Sequence, residues 1–243
     1  MFCVKQSLDE QNNWFIIFNK TSDSNGLAEY YRLGGKDALP IWSETPYEDW
    51  HEVMPYIAAL DRDSGFVEWV INEAKEDWGM FVASNAEIEE VCDHLRGLTQ
   101  VWLSSSNYAF FRFFDPMSSI DIANFCNEQQ RAELMGPCTS WLSTKSHSLN
   151  REVIKYRPER EFPWWQVPEE VKEKLVEDTT VLVNNLIQSL HEIQPGLSAK
   201  YGERVLLRKT ERFCQRYKGE FAQILEKFVQ LIQHEQKMLG NIK

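Results

Sequence analysis

The sequence predicts an α/β (mixed α+β) N-terminal domain, in which helices cover a mixed sheet, followed by an all-helical C-terminal subdomain. Three observations lead there. Short apolar runs alternate with capped helical stretches as far as residue 142. Beyond Pro168 the apolar residues recur at helical spacing instead. The charge also changes between the two parts: residues 1–145 hold 10 basic against 23 acidic side chains (−13), and residues 146–243 hold 16 against 14 (+2). The boundaries read as 1–145 for the first domain, 146–167 for a linker rich in Pro and Trp, and 168–243 for a helical hairpin-like subdomain.

Trp14-Phe15-Ile16-Ile17-Phe18 has the length and apolar continuity of a buried strand. Leu27 to Leu33 reads as a short helix that Gly34-Gly35 ends. Thr45-Pro46-Tyr47-Glu48 is a capping box with proline at the first helical position, which predicts a helix start. Ser84-Asn85-Ala86-Glu87 repeats the pattern and opens a helix through Leu95, with Ile88, Val91, Cys92 and Leu95 on one stripe. Strands are expected at Tyr56–Leu60 and Gly79–Ala83, and a hairpin over Gln100–Leu103 and Tyr108–Phe113. Pro158, Pro163 and Pro168 then exclude one continuous helix in the linker. Val171, Leu175, Leu182, Leu186, Ile187, Leu190 and Ile193 predict a helix that Pro195-Gly196 stops. Phe213, Tyr217, Phe221, Ile224, Phe228 and Leu231 predict a second one reaching towards Gly240, despite Gly219.

Composition excludes several classes of function. No apolar run approaches the roughly 18 residues of a membrane-spanning helix. Met1 to Glu10 holds no hydrophobic signal core, so export by a Sec-type signal is not expected. The net charge of −11 argues against general nucleic-acid binding, because phosphates attract basic surfaces. Cys3, Cys92, Cys126, Cys138 and Cys214 form no CxxC pair and predict reduced thiols in a cytoplasm rather than a zinc site or a disulfide framework. No nucleotide-binding, metalloprotease or nucleophile-elbow motif is present, and neither a cofactor nor a metal is called for. An enzyme would have to use Cys138 or a carboxylate pair, as in a hydrolase. A buried apolar thiol is the more economical reading of Cys138, and a solvated helix face that of Glu89-Glu90 with Asp93.

The most distinctive stretch is Ala109-Phe110-Phe111-Arg112-Phe113-Phe114-Asp115-Pro116. Four phenylalanines around one arginine predict a central strand that is apolar on both faces. Arg112 would then need a carboxylate or carbonyl partner, with Asp115 and Pro116 as N-cap and N1 of the next helix.

Residues 111–116 resemble the RFYDPRV signature of the type VI secretion effector-chaperone family, the Tap/TEC-type adaptors long catalogued as a domain of unknown function. Thr45-Pro46-Tyr47 and Met54-Pro55-Tyr56-Ile57 are similar to the family's GTPYE…GPYL stretch, Trp78-Gly79 to its WG, and Met135-Gly136-Pro137 to its FFGP element. Met54, Met117 and Asn19 depart from the family's glycine, arginine and frequent aspartate. The resemblance spans residues 14–142 and implies a non-enzymatic adaptor that binds a secreted effector and helps load it onto the VgrG spike. It marks Pro55, Tyr56, Trp78, Gly79, Arg112, Asp115, Pro116, Gly136 and Pro137 as signature positions, structural or partner-binding.

Two further features suggest partner contacts. Trp164 and Trp165 are a paired aromatic anchor in the linker, or else cover the joint between the two parts. Arg204, Arg208, Arg212 and Arg216 form one helical stripe, either solvated or a grip on an acidic segment or, as an alternative, on nucleic acid.

Overall fold

The computed structural model describes residues 4–8, 12–155, 160–177, 180–198, 200–217 and 219–240; Cys3, Pro158 and Lys218 lie outside them. Along the chain run α1 (Val4–Ser7), β1 (Asn13–Phe18), α2 (Gly26–Arg32), β2 (Leu39–Pro40), β3 (Tyr56–Ala59), α3 (Phe66–Asn72), β4 (Gly79–Ser84) and α4 (Ile88–Gly97). Then come β5 (Gln100–Ser104), β6 (Asn107–Phe110), α5 (Pro116–Phe125), α6 (Glu128–Met135), β7 (Cys138–Leu142) and β8 (His147–Leu149). Helices follow: α7 (Glu169–Glu177), α8 (Thr180–Ile193), α9 (Pro195–Ser198), α10 (Glu203–Arg216) and α11 (Phe221–Gly240). The chain divides into two compact units, residues 1–172 and 173–243.

The first unit is the expected α+β fold. Its main sheet has the order β2-β3-β1-β4-β7-β8, with every pairing antiparallel. The continuous apolar run of β1 follows from its central place, since both faces of the strand are covered. Phe15 and Ile17 point into one core with Met80, Val82 and Trp141, roofed by Val91, Leu95, Ile120 and Leu134. Trp14, Ile16 and Phe18 point into the opposite core with Phe81 and Ala83, roofed by Tyr30, Phe66, Val67 and Val70. The polar stretch 143–148 holds the hairpin turn between β7 and β8 and the start of β8: Ser143 N donates to Ser146 O (2.8 Å), and Trp141 pairs with Ser148.

Several expectations are corrected. The phenylalanine-rich stretch is not a central strand. β5 and β6 form a separate two-stranded sheet, β6 ends at Phe110, and its residues are largely exposed. Phe111, Phe113 and Phe114 leave the strand and bury themselves in the first core from irregular backbone, while Arg112 stays exposed. An apolar run reports burial without specifying the backbone that achieves it. The capping box at Thr45 opens no helix. Thr45 Oγ1 accepts from Tyr47 N (3.1 Å), but residues 42–53 form successive turns that lay Tyr47 and Trp50 on Trp42. Ser84 ends β4 instead of capping α4, whose N-cap is Glu87; its hydroxyl donates to Pro137 O (2.7 Å).

The second unit packs α8 against α9, α10 and α11 around Val183, Leu186, Leu190, Leu206, Phe213, Ile224 and Phe228. The expected single helix to Gly240 is two. Tyr217 leaves helical geometry (φ −115°, ψ 120°) and Gly219 takes φ +154°, so the glycine sits at a break and not inside a helix. Pro195 stops α8 as expected, and also opens the short α9.

Two predictions follow from the first unit. Gly79 has φ +138°, and a Cβ there would overlap the Ile17 carbonyl oxygen where β1 meets β4. Gly79→Ala is expected to lower stability by about 3 kcal/mol or more, read from urea denaturation. His94 is buried on α4, with its Nε2 2.9 Å from Leu134 O, and burial pushes its pKa down to about 4. An unfolded histidine titrates near 6.5, so the stabilisation from a neutral His94 is complete above that pH and lost as pH falls towards 4. Between about pH 7.5 and about pH 5 the loss is expected to be about 2 kcal/mol. His94→Gln should flatten stability across that window.

Candidate partner-binding surface

Two sites of the first unit gather the sequence-predicted residues. At the first, distant signature elements meet in one hydrogen-bond network. β1 delivers Asn19 beside Trp78, whose carbonyl accepts from Asn19 N (3.1 Å). The buried Asn19 side chain donates to Asp77 O (2.8 Å) and accepts from Thr21 N (3.0 Å) and Thr21 Oγ1 (2.7 Å). Ser22 donates to Asp77 Oδ1 (2.8 Å). Arg112 Nη2 in turn donates to Thr21 Oγ1 (2.8 Å) and lies 3.7 Å from Asp115 Oδ2. The guanidinium is therefore half-exposed, with a hydroxyl as its nearest partner, where a buried arginine held by a carboxylate or carbonyl was expected.

Asp115 is the N-cap of α5, its Oδ1 accepting from Met117 N (3.2 Å), and Pro116 stands at the first helical turn as expected. Burial raises its pKa, opposed by the Arg112 charge and the Met117 N–H. Met117, at the family's arginine position, is 45% exposed and borders an open concavity with Asp77 and Glu76.

The remaining signature positions hold backbone. Pro55 O accepts from Ile41 N (3.0 Å), and Tyr56 pairs with Phe18. Trp78 is fully buried. Gly136 O accepts from Ile154 N (3.1 Å), and Pro137 O holds Ser84. Cys138 lies in β7 with no exposure, and burial pushes its thiol up to about 12, the reverse of what a nucleophile requires. Among the described residues no group of His, Cys, Asp and Glu is placed to hold a metal ion, and no helix is long and apolar enough to cross a membrane.

The second site is built by the linker. Trp102 N donates to Trp165 O (2.8 Å) and Val167 N to Trp102 O (2.9 Å), so residues 165–167 run parallel to β5. Trp165 is thereby core, 2% exposed and stacked on Phe111. Trp164 faces the other way and borders a cleft of about 240 Å³ with Thr45, Pro46, Tyr47, Arg96, Arg160 and Phe162. It rests on Gly97, where a Cβ would come within 2.6 Å of its Nε1, and packs against His94 at 5.3 Å. Arg160 lies over its ring at 4.6 Å and has no ion-pair partner among the described residues. Arg96 is committed to Asp93 and to Ile41 O (2.7 Å).

In the second unit Arg204, Arg208, Arg212 and Arg216 are all exposed along α10, and none is ion-paired among the described residues. Lys209, off the stripe, pairs with Glu235 at 2.5 Å.

Sequence reasoning missed Thr21, Asp77, Gly97 and Arg160. Thr21 is 91 residues from Arg112 and Gly97 is 67 from Trp164, and nothing local announces either meeting.

Residues 14–133 match the family model described as a domain of unknown function, DUF4123. The chain is also similar to the accessory protein VasW of Vibrio cholerae serotype O1, at 31% identity over 98 residues. That alignment covers 40% of this chain and 32% of VasW, so the chain spans about a third of that relative's length. No solved structure matches the chain. Arg112, Asp115 and Trp78-Gly79, brought together by the fold, all fall inside the matched region: residues 14–133, about half of the chain, are a DUF4123 domain, the type VI secretion-associated family that the sequence motifs resemble.

Proposed function

We propose that the chain is a non-enzymatic adaptor that works in the bacterial cytoplasm, binding a type VI secretion effector and promoting its loading onto the VgrG spike protein. The DUF4123 domain is the observation that carries this reading, and similarity to a protein named as an accessory protein supports it. The sites fit such work. A network ending in a half-exposed Arg112, and a cleft walled by Tyr47, Phe162 and Trp164 with Arg160 over the Trp164 ring, offer aromatic anchors and accessible guanidinium groups. These are the groups that dominate protein interfaces. In this reading residues 1–145 are the scaffold, 146–167 bring Trp164 to its surface, and 168–243 with the arginine stripe of α10 adjust effector choice. The unpaired stripe suits an acidic partner segment.

Affinity purification of the tagged full chain from its native cytoplasm should recover both an effector and a VgrG protein, identified by mass spectrometry. Recovery of neither would overturn the reading. Trp164→Ala, checked for retained fold, is expected to weaken effector binding by about 2 kcal/mol, roughly thirtyfold in Kd. Arg208→Glu with Arg212→Glu should mainly slow association and reduce its salt dependence.

A further inference from the structure

Beside the cleft, and sharing Tyr47 with it, lies an aromatic surface whose Trp50 and Phe110 belong to neither the quoted signature motifs nor the linker. Trp42 is fully buried and forms its base. Around it stand Tyr47, Trp50 and Phe110, with ring centroids 5.9, 6.3 and 5.4 Å from that of Trp42. Each of the three also touches the other two: Tyr47 meets Trp50 at 5.2 Å and Phe110 at 5.6 Å, and Trp50 stacks on Phe110 at 5.9 Å. Burial is incomplete, since Trp50 is 49% and Phe110 38% exposed. Tyr108, 52% exposed, is two residues from Phe110 on β6 and so shares its face of the strand.

The segment bearing Tyr47 and Trp50 is held in place before any partner arrives. Thr45 N and Oγ1 both donate to Trp42 O (3.2 and 2.7 Å). Glu48 N donates to Thr45 O (3.1 Å), Trp50 N to Tyr47 O (3.0 Å) and Val53 N to Trp50 O (3.1 Å). A partner would therefore meet an ordered aromatic face with little entropy left to lose.

Charge decides the partner's chemistry. Residues 44–52 contain Glu44, Glu48, Asp49 and Glu52 and no lysine or arginine. All four carboxylates are exposed, and none has an ion-pair partner among the described residues; Lys20 Nζ donates to the turn's backbone at His51 O (2.7 Å), leaving the four carboxylates in excess over one ammonium. A stacked, half-exposed tryptophan favours a cation over its face, and carboxylates around it supply the counter-charge. The same carboxylates repel phosphate groups, which disfavours nucleic acid on this face.

We propose that the Tyr47–Trp50–Phe110 surface docks a cationic segment of a partner protein, with an arginine side chain laid on Trp50 and paired with the surrounding carboxylates. The proposal rests on the adaptor reading only in taking the segment to belong to a protein cargo or spike.

The test titrates the intact chain with a short fluorescent peptide of alternating arginine and leucine, and with the same peptide carrying neutral citrulline for arginine. The arginine peptide should bind at least about tenfold more tightly than the citrulline one. Trp50→Ala, and separately the combined Glu48→Gln, Asp49→Asn and Glu52→Gln variant, should each weaken it by about tenfold or more. Equal binding by both variants and the original chain would overturn the proposal, because the peptide would then be reading the general acidity of the surface. Self-association of the chain that Trp50→Ala abolishes would also overturn it, by making a second copy the occupant. The adaptor reading is judged separately: if the original chain recovers effector and spike from the cytoplasm and Trp50→Ala recovers both equally well, this docking proposal fails while that reading stands.

Discussion

Two neighbouring strands without a solvent-facing side, β1 and β4, impose most of the first unit. Their side chains alternate between two cores, so each face of the sheet must be roofed. Helices α2 and α3 supply one roof and α4, α5 and α6 the other. The contact between the strands is tight enough that Gly79 faces the Ile17 carbonyl with no room for a side chain. Leaving β1, the chain turns at once through Asn19, whose buried amide joins it to Asp77 just before β4. The signature network is thus an outgrowth of the central pair: the polar groups that end these strands have to be satisfied where they emerge. Thr21 and Arg112 extend the same network to the surface.

The linker follows a related logic. The hairpin β5–β6 stands apart from the main sheet, and an uncovered strand edge leaves its N–H and C=O groups unpaired. Residues 165–167 satisfy part of that edge through Trp102. Trp102 Nε1 adds a bond to Pro163 O (2.6 Å), and Lys172 Nζ one to Leu103 O (2.8 Å). Once Trp165 is drawn into the core on Phe111, the alternation of an extended backbone turns Trp164 outward. A packing requirement thereby builds one wall of the cleft.

Electrostatics separate the surfaces by the partners they suit. Arg160 on Trp164 presents a cation within an acidic unit, the turn bearing Trp50 presents four carboxylates, and α10 presents four arginines. In the adaptor reading proposed above, surfaces of opposite sign would suit different partners, since complementary charge guides association and mismatched charge rejects wrong partners.

The sequence by itself determined the fold class, the central strand at residues 14–18, the α5 cap by Asp115 and Pro116, and the helical character of the C-terminal part, because each rests on local periodicity or local capping chemistry. It also carried the family signature as an ordered set of short motifs. Tertiary structure decided what became of motifs that local chemistry leaves open. The Thr45 cap stayed a turn because Tyr47 and Trp50 pack on Trp42, and the phenylalanine run buried three rings from irregular backbone. Of two adjacent tryptophans, only pairing with β5 distinguished the core residue from the surface one. The network joining Asn19, Thr21, Asp77, Arg112 and Asp115 spans more than 90 residues of chain, with 91 between Thr21 and Arg112 alone. No local pattern encodes such a meeting, because the sheet that brings those residues together is stabilised by apolar contacts elsewhere.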